Sequence, residues 1–310
     1  MPDAAKWTRS TRQNPTWKRF ISINDAEHAL TGFIENNEFV ARCLPNPFKS
    51  TDNVDMISGA IQSSGKFSFL YGKIEGRLMT NPYAGNFPAF WLMPQDQSAG
   101  WPYCGEIDIW EQIDAQNTTY HTIHTRWANS TNDGALCQGQ GNNPPKGGTS
   151  TATNGWYHTF GLEWTEDLLT WYVNGKKVFS YAKSKNASDL NLGQWPFAKP
   201  FYIILNQSVG NGSWASPAVT SHTYETRFDW VRVYQKSETV GIAPMPATPA
   251  DRLDVTAGRG VIHLAAPDAV RVTIVDLAGR ALFSETLQGN RRVAVPTGLY
   301  LVNGRKVSVR

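Results

Sequence analysis

Segments in which apolar and polar residues alternate recur along most of the chain, and helical periodicity is almost absent. Alternation with a period of two is typical of strands that bury one face, and the Gly-, Pro- and Asn-rich stretches between them mark turns. We therefore predict an all-β fold, a β-jelly-roll sandwich with an open cleft. One short helix is expected within residues 183–196, and residues 1–35 are weakly patterned.

Each alternating segment predicts a strand, and these strands cover residues 38–43, 67–72, 73–79, 86–94, 105–111, 119–125, 157–164, 169–173, 176–181, 200–209 and 228–234. The clearest turn is Asn174-Gly175, because this pair supplies the positive φ angles of a type I′ hairpin. Residues 129–154 are rich in Gly, Asn, Pro and Thr. A loop this long in a compact domain is usually functional.

The chain is expected to contain two β domains. Its 310 residues suffice for one large domain and one small one. A proline-rich stretch at residues 237–250 predicts a linker. Residues 1–236 form the larger predicted domain, and residues 251–310 contain three or more predicted strands that would make a small β-sandwich.

Charge is distributed unevenly between these domains. The formal net charge of the chain is +3, and residues 251–310 hold nine Lys or Arg against five Asp or Glu, a net of +4. The remainder is therefore −1, so the larger domain has no basic field and a nucleic-acid partner is not expected. No apolar run approaches ~18 residues, so no membrane span is expected. We expect a monomer.

Tryptophan and cysteine usage carry further information. Twelve Trp residues are many. Some will pack in the core, but flat aromatic rings also stack on the C–H faces of sugars. The three cysteines allow at most one disulfide bridge, and whether Cys104 pairs with Cys137 is left open. The first residues are no signal peptide, so we expect a processed or engineered N-terminus.

One stretch places three carboxylates, Glu106, Asp108 and Glu111, in a segment that otherwise predicts a strand. Glu106 and Asp108 share a face, whereas a regular strand would point Glu111 to the other face. One extra residue at Ile109 or Trp110, a β-bulge, would return Glu111 to the first face. The Cα atoms of the two glutamates would then lie roughly 13 Å apart, and their side chains could lean inward to bring the carboxyl groups within about 5–6 Å.

That separation suits a retaining glycosidase, which needs ~5–5.5 Å between its two carboxyl groups, better than an inverting one, which needs ~6.5–9.5 Å. Clustered carboxylates also repel each other, which raises at least one pKa and suits general acid catalysis. The alternative is a solvated acidic face, or an edge strand whose charges block aggregation. The apolar residues Ile107, Ile109 and Trp110 favour a packed central strand.

Other polar residues on predicted strands are candidates for the same cleft. Glu75 and Arg77 share a strand face and either form a surface ion pair or line the cleft. His121 and His124 lie just downstream of the carboxylates and are either structural or part of the site. Asn206 interrupts an apolar strand, so its side chain needs a partner or a ligand.

Over residues 55–236 the chain resembles glycoside hydrolase family 16, the laminarinase and mixed-linkage β-glucanase family. The signature is Glu-x-Asp-x-x-Glu, here Glu106, Asp108 and Glu111, and its extra residue is the bulged form typical of laminarinases. Supporting stretches are residues 71–75, 86–94, 160–164 and 229–234.

The resemblance implies a retaining mechanism in which Glu106 is the nucleophile, Glu111 is the acid/base, and Asp108 orients and tunes both. No cofactor is expected to be required. Some relatives bind a structural calcium, and Asp229 matches one of its ligands. Substrate contacts are expected at Glu75, Arg77, Trp91, Trp101, Trp110, His124, Asn206 and Trp214.

The expected activity is hydrolysis of β-1,3-1,4-glucan or β-1,3-glucan by a secreted or cell-surface bacterial enzyme. A glucan-binding protein without turnover and an agarase-like galactanase stay open as alternatives. Residues 251–310 resemble a type IX secretion sorting domain in the runs 275–280, 297–302 and 306–310, which makes the secretion machinery an expected partner. A small carbohydrate-binding or spacer domain is the alternative for this tail.

Overall fold

The computed structural model describes residues 2–81, 83–129, 147–235 and 253–310. The chain divides into two compact units, Met1–Lys236 and Ser237–Arg310. The predicted linker at residues 237–250 and most of the predicted loop at residues 129–154 lie outside the described residues.

Strands dominate the first unit, as the alternating pattern predicts. In chain order they are β1 (Thr8–Arg9), β2 (Gly32–Glu35), β3 (Glu38–Pro45), β4 (Met56–Ser58), β5 (Ala60–Gln62), β6 (Gly72–Thr80), β7 (Asn86–Pro94), β8 (Glu106–Gln112), β9 (Thr118–His124), β10 (Gly147–Thr151), β11 (His158–Trp164), β12 (Leu168–Val173), β13 (Lys176–Ala182), β14 (Phe201–Val209) and β15 (Tyr224–Tyr234). The described helices are a 3-10 turn at Thr16–Lys18, α1 (Asp25–Thr31), α2 (Arg126–Asn129) and α3 (Ala187–Asn191). Helix α3 lies within the segment where the sequence predicts one.

These strands form two antiparallel sheets. The first sheet has the order β1-β5-β14-β7-β8-β9-β10, and the second has the order β13-β12-β11-β6-β15-β3-β2, with β4 paired to β3. Phe90, Leu92 and Ile107 of the first sheet pack in one buried core with Ile74 and Leu78 of the second. Burial of one apolar face of each sheet against the other confirms the predicted sandwich.

The centre of the first sheet is covered on its outer face as well. Trp91 and Met93 of β7 form a buried cluster there with Tyr202 and Ile204 of β14. Trp17, from the weakly patterned start of the chain, packs edge-on against Trp91 with ring centroids 4.9 Å apart. Strands β7 and β14 are therefore buried on both faces, which accounts for their nearly continuous apolar sequences.

The prediction of a strand at residues 67–72 is wrong. Phe69 makes only an isolated bridge with Phe201, and the chain then turns through Tyr71 and Gly72, whose φ angles are 59° and 117°. Phe69 and Tyr71 both pack edge-on against Trp164, so core packing rather than alternation sets the path of this segment. The strand that follows, β6, begins at Gly72.

The predicted hairpin is confirmed between β12 and β13. Asn174 and Gly175 adopt φ angles of 50° and 77°, as a type I′ turn requires. Strands β4 and β5 were not predicted, because each has three residues and β4 is buried throughout, which leaves no alternation to read.

The second unit is a five-stranded antiparallel sheet. Its strands are β16 (Asp254–Gly258), β17 (Val261–Asp276), β18 (Ala281–Ala294), β19 (Gly298–Val302) and β20 (Arg305–Val309). The order is β16-β17-β19-β20, and β18 pairs with the other edge of β17. The unit has an apolar core of its own that includes Ile262, Val272 and Val302. Within the described residues, no helix is both long and apolar enough to cross a membrane.

Candidate active site

The three carboxylates of β8 lie on one face of the first sheet. Glu106 pairs with His124 of β9, Asp108 with Thr122, and Glu111 with Tyr120. Residues directly opposite in an antiparallel pair share a face, and the three β9 residues are spaced two apart. Glu106, Asp108 and Glu111, which we call the acidic row, therefore all point to the outer face, away from the core.

A β-bulge makes this arrangement possible. Between Asp108 and Glu111, β8 takes three steps where β9 takes two. On its other side, β8 pairs Asp108 with Trp91 and Trp110 with Phe90, which leaves Ile109 as the extra residue. The bulge that the sequence required is confirmed at this residue.

The bulge also corrects one expected substrate contact. Ile109 and Trp110 are consecutive, yet both are buried in the core between the sheets. Trp110 is 1% exposed, and its ring lies 5.5 Å from that of Phe160 in the second sheet. The expectation that Trp110 contacts substrate is wrong, because the bulge turns two successive side chains inward.

His124 lies against the acidic row. Its Nε2 is 3.7 Å from Oε1 of Glu106 and 3.5 Å from Oδ2 of Asp108. Asp108 is 2% exposed, so much of this charge is held away from water. Among the described residues, Glu106, Asp108 and His124 are the group of ligand-type side chains close enough to hold a metal ion.

Trp101 stands at the Glu106 end of the acidic row. Its indole Nε1 donates a hydrogen bond of 2.7 Å to Oε2 of Glu106. The ring is 57% exposed and its centroid lies 5.5 Å from that of His124. The exposed ring offers an aromatic surface beside the carboxylate that it orients.

Trp214 stands at the opposite end of the row. Its ring is 48% exposed and packs edge-on against Tyr120, with centroids 4.9 Å apart. Because Tyr120 pairs with Glu111, the two exposed indoles bracket the three carboxylates. Both residues were predicted to contact substrate, and the structure brings both to the acidic row.

Trp91 and Asn206 form the floor beside the acidic row. Trp91 pairs with Asp108, and Asn206 pairs with Ala89, whose other partner is Glu111. The Trp91 Nε1 donates to Oδ1 of Asn206 at 2.7 Å, and the Asn206 side chain is 1% exposed. The polar residue in the apolar strand therefore has a protein partner, and it supports the site from below.

Glu75 and Arg77 lie in the second sheet, far from the acidic row in the topology. The residues on either side of them along β6 are buried in the core. Side chains alternate between faces, so those of Glu75 and Arg77 point to the outer face of the second sheet. Lys73 pairs with Glu75 at 2.9 Å, and Arg77 pairs with Asp229 at 2.5 Å. The expectation that they line the cleft is wrong, and the two residues pair with Lys73 and Asp229 rather than with each other, as the ion-pair alternative had it.

The expected calcium site at Asp229 stays a prediction. Its carboxylate is already neutralised by Arg77. Among the described residues, the cluster of side chains close enough to share a metal ion is Glu106, Asp108 and His124, and it does not include Asp229.

Three residues near the site were not singled out from the sequence. Trp17 covers Trp91, and the hydroxyl of Tyr202 accepts a hydrogen bond of 2.9 Å from Gln97. Burial raises the pKa of Tyr202, which keeps it a neutral phenol. Alternation along β14 places Tyr202 on the face of Asn206, and that signal was available in the sequence.

The structure describes two of the three cysteines. Cys43 and Cys104 are buried free thiols. Burial raises the pKa of both, so neither is an activated nucleophile. Cys137 lies outside the described residues.

The model of the family "Glycosyl hydrolases family 16" matches residues 26–232. A keratan-sulfate endo-1,4-β-galactosidase from Sphingobacterium multivorum is 32% identical over 235 residues, which are 75% of this chain and 52% of that protein. A β-glucanase from Rhodothermus marinus is 28% identical over 245 residues, 76% of this chain and 81% of that protein. The chain thus spans about half the length of the first of these relatives.

Solved structures give the same picture of the fold. A non-specific endo-β-1,3(4)-glucanase of family 16, in a variant crystallised with an oligosaccharide, superposes with a TM-score of 0.64 and 29% identity, covering 76% of this chain and 89% of that one. The laminarinase catalytic domain from Thermotoga maritima superposes with a TM-score of 0.62 and 28% identity, covering 76% and 94%.

Proposed function

Since the chain belongs to family 16 of the glycosyl hydrolases and is a glycoside hydrolase, we propose that it is a retaining endo-β-glucanase. Its substrate would be β-1,3-1,4-glucan, β-1,3-glucan or both. The observation that carries this proposal is the bulge at Ile109, which brings Glu106 and Glu111 to one face with Asp108 between them. Two carboxylates on one face, flanked by exposed indoles, suit double displacement on a sugar chain.

In the first step, a Glu106 oxygen attacks the anomeric carbon and forms an ester bond to the sugar. The bond from that carbon to the leaving oxygen breaks, and Glu111 supplies the proton that this oxygen takes up. In the second step, Glu111 accepts a proton from water while the water oxygen attacks the same carbon. The ester breaks, Glu106 leaves as a carboxylate, and the configuration at the anomeric carbon is retained.

We propose a function for each oxygen of Glu106 on the basis of its neighbours. Trp101 donates to Oε2 at 2.7 Å, which fixes the rotation of the carboxylate. Oε1, on the side of His124, is then the oxygen that faces the anomeric carbon. Asp108 lies close to both His124 and the nucleophile Glu106. It therefore holds the imidazole in place, and the protonation of each of these groups depends on that of the others.

Similarity to characterised proteins supports a glucan substrate. The matched region covers most of the length of the β-glucanase from Rhodothermus marinus and of the two solved structures. The keratan-sulfate endo-1,4-β-galactosidase, 32% identical, favours an endo-β-galactosidase as the second candidate. Product profiles on lichenan, laminarin, agarose and keratan sulfate separate the two.

The Glu106→Gln variant tests the proposed chemistry. The amide keeps the shape of the side chain but is no nucleophile, so release of reducing ends from barley β-glucan should fall below detection. Binding of the glucan, measured by affinity electrophoresis, should persist. Full hydrolysis by this variant would contradict the assignment, and binding without turnover by the unaltered chain would favour a glucan-binding protein.

For the second unit, we propose a role as a secretion sorting domain, with the enzyme secreted or displayed at the cell surface. The runs at residues 275–280, 297–302 and 306–310 support this proposal. In a bacterium with a type IX system, removal of residues 251–310 should retain the enzyme inside the cell. Unchanged export, or loss of glucan affinity on removal, would favour the spacer or carbohydrate-binding alternative.

A further inference from the structure

The extra residue in β8 interrupts the backbone pairing of that strand. Ile109 has no partner on β7 or β9, and Trp110 has one on β7 alone. Both side chains are buried in the core, so water does not reach this backbone freely. A buried carbonyl without a donor is costly, and the carbonyls at the bulge therefore need donors from elsewhere.

His121 of β9 supplies one donor. It lies between Tyr120 and Thr122, directly opposite the bulge, and it is fully buried. Its Nδ1 is 2.8 Å from the carbonyl oxygen of Ile109. Because a carbonyl only accepts, Nδ1 carries the hydrogen, and Nε2 then accepts from the hydroxyl of Ser150 at 2.8 Å.

The imidazole is held in this state by its surroundings. Ser150 lies 2.6 Å from the hydroxyl of Thr119, so both hydroxyls on this side are engaged. Burial lowers the pKa of His121 to about 4, so the ring stays neutral at the pH of most assays. One tautomer of a neutral ring is therefore aimed at the bulge.

Trp171 supplies the second donor from the opposite sheet. It lies on β12 and is fully buried. Its Nε1 donates a hydrogen bond of 2.8 Å to the carbonyl oxygen of Asp108, the residue just before the bulge. Two successive carbonyls, those of Asp108 and Ile109, thus receive side-chain donors from two different strands.

We propose that His121 and Trp171 are positioning residues that hold the β8 bulge and, through it, set the placement of Glu111 relative to Glu106. We call the pair the bulge clamp. The inference rests on the proposed function for the roles of the two glutamates. The clamp bonds to the carbonyls of Asp108 and Ile109 and so fixes the backbone that carries both glutamates.

The test compares two substrates in variants that lack one clamp donor. His121→Leu and Trp171→Phe remove a donor each, whereas His121→Asn keeps an N–H near the position of Nδ1. If the clamp places the acid, kcat/KM on lichenan should fall about 10- to 100-fold in the first two variants. For a 2,4-dinitrophenyl β-oligoglucoside, whose leaving group needs no proton, kcat/KM should fall less than about threefold. KM for lichenan should stay nearly constant, and His121→Asn should recover most of the activity.

Trp164→Phe is the matched control. The Trp164 indole is also buried and also donates to a carbonyl, that of Phe197 at 3.2 Å, but it lies away from the bulge. This variant should lose stability without changing the ratio of the two substrates. Equal losses on both substrates in the clamp variants, or the same selective loss in Trp164→Phe, would overturn the proposal.

A measurement without substrate separates this inference from the glucanase proposal. Amide hydrogen exchange in β8 should be faster in His121→Leu and Trp171→Phe than in Trp164→Phe, because the bulge opens more often. Equal protection in all three would overturn the clamp even in an active glucanase. If the unaltered enzyme cleaves no β-glucan, the glucanase proposal fails, and hydrogen exchange alone decides whether the clamp stands.

Discussion

Each sheet of the first unit contains a β-bulge beside an acidic residue, one in β8 and one in β15, and these two bulges differ in what surrounds them. In β8 the extra residue is the buried Ile109, with carboxylates on either side of it. In β15 the register shifts between Phe228 and Trp230, so the extra residue is Asp229, on the outer face. A bulge by itself is therefore not a site; the charges mounted on it decide its use.

Charge balance separates the two outer faces most clearly. On the second sheet, each acid near the bulge has a basic partner: Arg77 pairs with Asp229, Arg42 with Glu225, and Arg227 with both Glu225 and Glu38. On the first sheet, three acids lie along one strand, and the imidazole of His124 lies 3.7 Å from Glu106 and 3.5 Å from Asp108. Clustering like charges works against stability, and such clusters are typical of catalytic sites.

Between the two bulges, the largest expected difference comes from removing the acid at the first one. Glu111→Ala should lower kcat/KM on lichenan by about 10³-fold, because the leaving oxygen loses its proton donor. Azide should restore turnover of an activated aryl glycoside, since this anion attacks the glycosyl-enzyme without base assistance, and the product should be a β-glycosyl azide. Asp229→Ala, the same change at the second bulge, is the control and should leave activity unchanged.

A pH-dependent loss of stability should arise at the first bulge. The pKa of His121 is lowered by burial from 6.5 to about 4, so below pH 6.5 the unfolded chain binds a proton that the folded chain refuses. Its contribution is complete above pH 6.5 and declines as the pH falls to 4, by about 3 kcal/mol. Urea denaturation at pH 7, 5.5 and 4.5 measures this loss.

His121→Asn is the comparison for that experiment, because asparagine does not titrate. Its stability should decline less steeply between pH 6.5 and 4. The half-buried His28, whose pKa is also lowered to about 4, adds a loss of the same sign to both proteins. Parallel declines in the two proteins would show that His121 is not the group responsible.

A smaller effect is expected from the hydrogen bond on the nucleophile. Trp101→Phe keeps an aromatic ring but removes the donor to Oε2 of Glu106. A hydrogen bond to a charged group contributes about 1.5–3 kcal/mol, so kcat/KM should fall about 10- to 150-fold. Trp214→Phe, at the other end of the acidic row, should cost less, and the reverse order would contradict the orienting role of Trp101.

The smallest effect is expected at the second bulge. Asp229→Asn breaks the pair with Arg77, and both side chains are about one-third exposed. Pairs of this kind contribute about 0–1 kcal/mol, so the free energy of unfolding should change within that range while kcat/KM stays constant. A large loss of activity would mean that the outer face of the second sheet takes part in catalysis.

Much of the fold could be predicted from local pattern. The strands 86–94 and 200–209, the Asn174-Gly175 hairpin and the short helix near residue 187 each depend on a few neighbouring residues. The β8 bulge was predictable as well. Side chains alternate between the two faces of a strand, so residues 106 and 111 share a face only if the strand contains an extra residue.

Other assignments depended on partners distant in sequence. The sequence shows that Glu75 and Arg77 share a face, but which sheet they belong to depends on the pairing of β6 with β11 and β15. Trp110 has the composition of a sugar-binding residue, and its burial follows from the direction of the bulge. The N-terminal segment shows little periodicity, and its Trp17 covers Trp91 of the first sheet, a contact that no local pattern indicates.

The amino-acid sequence by itself determined most of the long strands, where the three carboxylates lie and that a bulge must join them, because each of these follows from spacing along one segment. Only the tertiary structure decided which face is covered, which acids are neutralised and which buried donors, His121 and Trp171, reach the bulge. The reason is that these contacts join strands from different parts of the chain, whose pairing no local spacing specifies.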